Sequence, residues 1–149
     1  MKKILFFALL FCLVGCTFEE VGVTQQVITI KVKANDWTCS QLDNNNYYYV
    51  GLNVPELTSN VFNRGEVKAY LVYDRHDVYN ARKHALPYVM HKEEFDVAQR
   101  DWVFYTETFD FTYGIGWVEF NFRMSDFAYE IGIDPGLTDM EFDVVITHP

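Results

Sequence analysis

The chain is poor in cysteine, with three, and in proline, with four, and its basic residues are outnumbered, twelve Lys and Arg against twenty-one Asp and Glu. Each shortage narrows the possibilities. The acidic balance speaks against nucleic acid and anionic lipid surfaces, because both select Lys and Arg patches. After the opening run, no stretch approaches the ~18 consecutive apolar residues of a transmembrane helix. There is no internal repeat of fixed period and no low-complexity linker, so a solenoid or a string of modules is not expected. No glycine loop is arranged to cradle phosphate, and Ser40 and Ser59 lack the strand-turn-helix setting of a hydrolase nucleophile.

What is present begins with an address. Lys2 and Lys3 precede a nearly unbroken apolar run, Ile4 to Val14, and Gly15-Cys16 follows. As a helix that run would rise only about 16 Å, roughly half of a ~30 Å hydrocarbon core, which suits an export signal that is removed and not a permanent span. Leu13-Val14-Gly15-Cys16 resembles the bacterial lipobox. That resemblance implies cleavage before Cys16 and attachment of diacylglycerol to its thiol, so that membrane lipid is held through Cys16. Two or three acyl chains make such an anchor effectively permanent. Residues 1–15 are thus expected to be the signal peptide, 16–25 a lipidated tether, and 26–149 one globular domain. Thr17 after the cysteine favours the outer membrane, and Glu19-Glu20 resembles an acidic export signal that points to the cell surface.

Cys12 leaves with the signal and Cys16 carries lipid, which leaves Cys39 alone and forbids an internal disulfide. Beside Trp37, Cys39 is expected to be buried as a small hydrophobe. The mature chain has 134 residues and a formal charge of −11, since Lys2 and Lys3 are lost and ten basic side chains face twenty-one acidic ones. With half the chain apolar and 17% aromatic, it can still bury a full core.

The dominant period is two. Ile28, Ile30, Val32 and Ala34 alternate with Thr29, Lys31 and Lys33, and Tyr48, Val50, Leu52 and Val54 share another face. Strands are also expected over 66–74, 86–91 and 140–147. A long hairpin is expected with arms 102–112 and 117–124 about Tyr113-Gly114-Ile115-Gly116. Between Pro55 and Gly65, the spacing of Leu57, Val61 and Phe62 predicts one short helix. The fold class is therefore all-β, a β-sandwich of about seven antiparallel strands with one short helix, and a small β-barrel is the alternative.

Several motifs together resemble a group of uncharacterised Bacteroidetes lipoproteins. They are Asp36-Trp37, the run YYYVGLNVPELT from Tyr47 to Thr58, Leu86-Pro87-Tyr88, the aromatic hairpin from Trp102 to Phe122, and Ser125-Asp126-Phe127. The resemblance implies an anchored β-sandwich-like domain and supplies no catalytic residue. Some members carry a collagen-like stalk after the anchor, whereas Thr17 to Gln25 stands in its place here.

Candidate chemistry is thin. Asp74-Arg75-His76-Asp77 with His84 and His91 has the residue types of a metal site but none of its spacings, and it reads as a loop of solvated charge. Glu93, Glu94 and Asp96 could supply the paired carboxylates of a glycosidase, but such a pair is set by its separation across a cleft, which sequence spacing does not encode. The acidic loops 43–46 and 134–139 lack the alternating pattern of a calcium loop and read as turns. No catalytic residue, metal or cofactor is expected. A small envelope hydrolase or a glycan-binding protein is the alternative to a non-catalytic binding or structural module. The aromatic surplus is the informative feature. If Val118, Phe120, Phe122 and Met124 face the core, Trp117 points outward, with Trp102 or Tyr105 expected beside it. Outward aromatics stack on sugar rings or on proteins, so a glycan or an envelope protein is the expected partner.

Overall fold

The computed structural model describes residues 22–42, 45–96, 100–125 and 135–148. Cys16, the signal peptide, most of the tether and the loop residues Asp43, Asn44 and Asp134 lie outside them.

Among the described residues, nine strands and one short α-helix follow in the order β1 (Thr24–Val32), β2 (Thr38–Leu42), β3 (Asn45–Asn53), α1 (Ser59–Arg64), β4 (Glu66–Tyr73), β5 (Arg82–Ala85), β6 (Tyr88–Asp96), β7 (Asp101–Gly114), β8 (Trp117–Met124) and β9 (Met140–His148), with a 3-10 turn over Ala34–Asp36 between β1 and β2. They form two open antiparallel sheets, β1-β9-β4-β5 and β2-β3-β8-β7-β6. The chain is a β-sandwich, not a closed barrel.

Alternation decides which side of each strand is inside. Phe142, Val144 and Ile146 of β9, with Val67, Ala69 and Leu71 of β4, meet Val118, Phe120, Phe122 and Met124 of β8 in one buried core. Phe120 stacks on Phe142 across the two sheets, with ring centroids 4.0 Å apart. Each fully buried aromatic or branched side chain contributes about 1.5–3 kcal/mol relative to exposure, so these two rows dominate the stability of the sandwich.

One end is closed by the expected helix. Thr58 caps α1, its Oγ1 accepting from the Val61 amide at 3.3 Å, and Val61 and Leu57 enter the core. Gly65 ends the helix where a Cβ would stand 2.7 Å from the Thr147 carbonyl oxygen, so only glycine fits. The β7–β8 turn is tied to the same end: Val54 N–H donates to the Gly116 carbonyl, and Gly116 N–H donates to that of Leu57, both at 2.8 Å. Gly116 has φ +83, which an L side chain rarely adopts.

Three details differ from the sequence expectations. The described residues hold nine strands and not seven, because β2 and β5 are short edge strands without an apolar alternation, set by the neighbours they pair with. β1 begins at Thr24, opposite His148, two residues inside the expected tether. Cys39 is exposed, not buried beside Trp37: it lies in β2, at the edge of the five-stranded sheet.

Candidate binding surfaces

Trp117 opens β8 and points outward, as the phase of Val118, Phe120, Phe122 and Met124 requires, and it is 43% exposed. Its indole lies over Gly114, its partner across the hairpin, where a Cβ would fall 2.5 Å from Trp117 Nε1. Trp102 does not stand beside it. Trp102 lies near the other end of β7, twelve residues before Gly114, which is about 40 Å along an extended strand. Tyr105 is on the opposite face altogether, half-buried with Val103 and Glu107 toward the inside of the sandwich. The trio expected around Trp117 is therefore not assembled.

A different aromatic group takes its place. β8 pairs with β7 only from Glu107 to Gly114, whereas β6 pairs with β7 from Asp101 to Phe109. The β6–β7 ribbon thus runs past the end of β8. On its outer face Phe95 lies opposite Trp102, edge to face at 5.5 Å, and Phe104 follows Trp102 by one pleat. The three are 44%, 55% and 70% exposed. Large apolar side chains grouped in water mark interaction surfaces more often than scattered ones do.

The outer face of the four-stranded sheet carries an ionic cluster that the sequence pattern concealed. Asp143 lies in the outward phase of β9 yet is fully buried. Arg75 folds back from the loop after β4 and donates through Nη2 to Asp143 and through Nε to Glu141. Thr29 Oγ1 donates to Asp143 at 2.8 Å, Lys83 Nζ stands 2.7 Å from its other oxygen, and Lys31 pairs with Glu141 at 3.0 Å. Burial pushes the Asp143 carboxyl up, but the bonds from Arg75, Lys83 and Thr29 outweigh it and bring the pKa down to about 2. The other bond of Arg75, from Nε, together with Lys31 lowers Glu141. The loop beyond Arg75 is tied by Asp77, which accepts from the Tyr79 and Asn80 amides, and Val78 and Tyr79 stand almost wholly exposed at its tip. Residues 74–77 are therefore not all solvated charge, since Arg75 anchors the loop to the sheet.

The remaining polar candidates do not converge. His84 stacks on Tyr88 at 4.1 Å and meets Tyr73 edge-on, whereas His91 lies on the outward face of β6 opposite Thr106. Among the described residues, no three His, Cys, Asp or Glu side chains gather as a metal-binding set. Glu93 and Glu94 alternate across β6, opposite Phe104 and Val103, and so point to opposite faces.

A cleft of about 310 Å³ opens between the sheets, lined from one side by Met90, Lys92, Tyr105, Glu107 and Phe109 and from the other by Tyr73, Leu137 and Met140. Glu107 occupies the core phase of β7, between Tyr105 and Phe109, and is only 8% exposed. Its nearest cation, Lys92 Nζ, is 3.5 Å from Oε2. Burial raises the Glu107 carboxyl, with Lys92 opposing. Burial likewise raises Tyr73 and Tyr105, and the Glu107 charge adds to both. The sequence held one sign of this site, a glutamate where Tyr105, Phe109 and Phe111 mark the inward phase.

No family model, no curated protein and no solved structure matches this chain.

Proposed function

We propose that this chain is a lipid-anchored protein of the bacterial outer membrane, displayed at the cell surface, whose β-sandwich is a non-catalytic binding module. The carrying observation is the exposed aromatic group Phe95, Trp102 and Phe104 on the projecting β6–β7 ribbon. Exposed aromatic area costs roughly 25 cal/mol per Å² relative to burial, and a partner that covers these rings recovers it. The anchor is supported by the lipobox-like Leu13-Val14-Gly15-Cys16 after the short apolar run, and the resemblance to Bacteroidetes lipoproteins supports the same placement. A tether of a few residues keeps the domain close to the membrane, so its partner is a component of the envelope or something presented to it, a glycan or a protein.

The test is retention of the full-length, detergent-solubilised protein on immobilised outer-membrane glycans and, separately, on immobilised envelope proteins. The Trp102→Ala/Phe104→Ala variant should lose retention on one of the two supports while its near-ultraviolet dichroism stays that of a folded domain. Equal retention of wild type and variant on both supports contradicts the proposal.

A further inference from the structure

We infer that the inter-sheet cleft containing Glu107 is a binding site for one neutral, hydroxyl-rich ring, such as a single pyranose unit. It shares no residue with the aromatic group on the ribbon and stands independently of it.

The first argument is position. An acid in the inward phase of a strand is costly unless it is matched, and Lys92 at 3.5 Å is well beyond the ~2.7–2.9 Å of a strong charge-assisted bond. A leucine at position 107 would continue the row of Tyr105 and Phe109 without that cost. A buried acid left imperfectly paired, facing a cavity, is a mark of a site.

The second argument is chemistry. Glu107 accepts hydrogen bonds, Lys92 donates them, and the Tyr73 and Tyr105 hydroxyls do both. The two charges cancel, so the lining is neutral overall. A ligand with a full charge would pair with one of these side chains at the expense of the other and leave one charge unmatched. A hydroxyl group answers both halves of the lining, because it can donate to Glu107 while accepting from Lys92. Met90, Leu137 and Met140 supply apolar walls of the kind that cover the C–H face of a ring. The volume of about 310 Å³ lies at the lower limit of the ~300–1,000 Å³ of small-molecule sites, which suits one ring and not a chain of them.

The test uses the full-length, detergent-solubilised protein with methyl glucopyranoside, methyl galactopyranoside, methyl mannopyranoside and inositol as neutral probes. Glucosamine and methyl glucuronide are the cationic and anionic counterparts. Saturation-transfer NMR and titration should show at least one neutral probe binding with a Kd on the order of 1 mM, more tightly than either charged probe. Glu107→Gln should weaken that binding about five- to tenfold, since the bond a ligand hydroxyl donates to a charged carboxylate becomes one to a neutral amide oxygen. Asn60→Ala on the exposed face of α1 should leave it unchanged. If Glu107→Gln fails to fold, Tyr105→Phe, which removes only a hydroxyl from the lining, decides in its place. The inference is overturned if no neutral probe binds, if a charged probe binds more tightly, or if the deciding variant binds as the wild type does.

Discussion

Replacing Asp143 with asparagine keeps the size of the side chain and an acceptor for Thr29, but removes the negative charge that Arg75 and Lys83 share. The sign follows from linkage. The folded pKa of about 2 lies below the ordinary 3.8, so Asp143 contributes stability above the unfolded value and loses it as pH falls toward 2. At about 1.4 kcal/mol per pH unit that gap is worth about 2 kcal/mol. Removing one member of a buried pair typically costs 3–5 kcal/mol, but Lys83 is about half exposed and can turn to water, which favours the lower figure. Asp143→Asn should therefore lower the unfolding free energy by about 2 kcal/mol at pH 7, with the urea m-value unchanged. The difference should shrink as the pH is lowered through 3.8, because the carboxyl of the unfolded wild-type chain is then taking up protons while the folded one stays ionised until about pH 2. Urea titrations of both proteins from pH 7 to pH 3 measure this. A deficit that is the same at every pH, or absent at pH 7, would refute the electrostatic account of the buried aspartate.

Glu107 should behave with the opposite sign. Its folded pKa is raised above 4.5, so its contribution to stability is lost as pH rises through that region, and Glu107→Gln should raise the thermal midpoint at pH 7 but not near pH 4. A lowered midpoint at pH 7 would show Lys92 to be a stronger partner than its 3.5 Å separation implies. Gly65→Ala forces a Cβ against the Thr147 and Val61 carbonyl oxygens, both backbone, and should cost about 1–3 kcal/mol in urea unfolding. Wild-type stability in that variant would mean the helix end relaxes freely. Phe120→Ala removes a ring stacked on Phe142 at the centre of the core and should cost about 3–5 kcal/mol, and a loss below 1 kcal/mol would contradict the packing described.

Local periodicity made the inward faces of β1, β3, β8 and β9 legible, because each buries one side and the side-chain period is two. The helix was legible from the spacing of Leu57, Val61 and Phe62 and from Gly65 after it, although it opens at the Thr58 cap and not at Pro55. β2 and β5 were not, since Thr38–Leu42 and Arg82–Ala85 carry no alternation and owe their form to the strands they pair with. Asp143 sits in an outward phase and so resembles an exposed acid. Its burial depends on Arg75, sixty-eight residues away, and no local pattern encodes that approach. Tyr105 was separable from Trp102 in principle, because residues three apart on a strand face opposite ways. Trp102 was separable from Trp117 too, because in the expected hairpin Trp102 opens the first arm, far from the turn, whereas Trp117 opens the second arm beside it.

The proposed lipid anchor at Cys16 would decide where every surface of this domain works, and tandem mass spectrometry of the amino-terminal peptide from the membrane fraction tests it most directly. The expected peptide begins Cys16-Thr17 and carries diacylglycerol on the cysteine. An unmodified peptide running through Gly15-Cys16, from a chain recovered in the soluble fraction, would contradict the anchor and with it the placement of the binding module at the membrane.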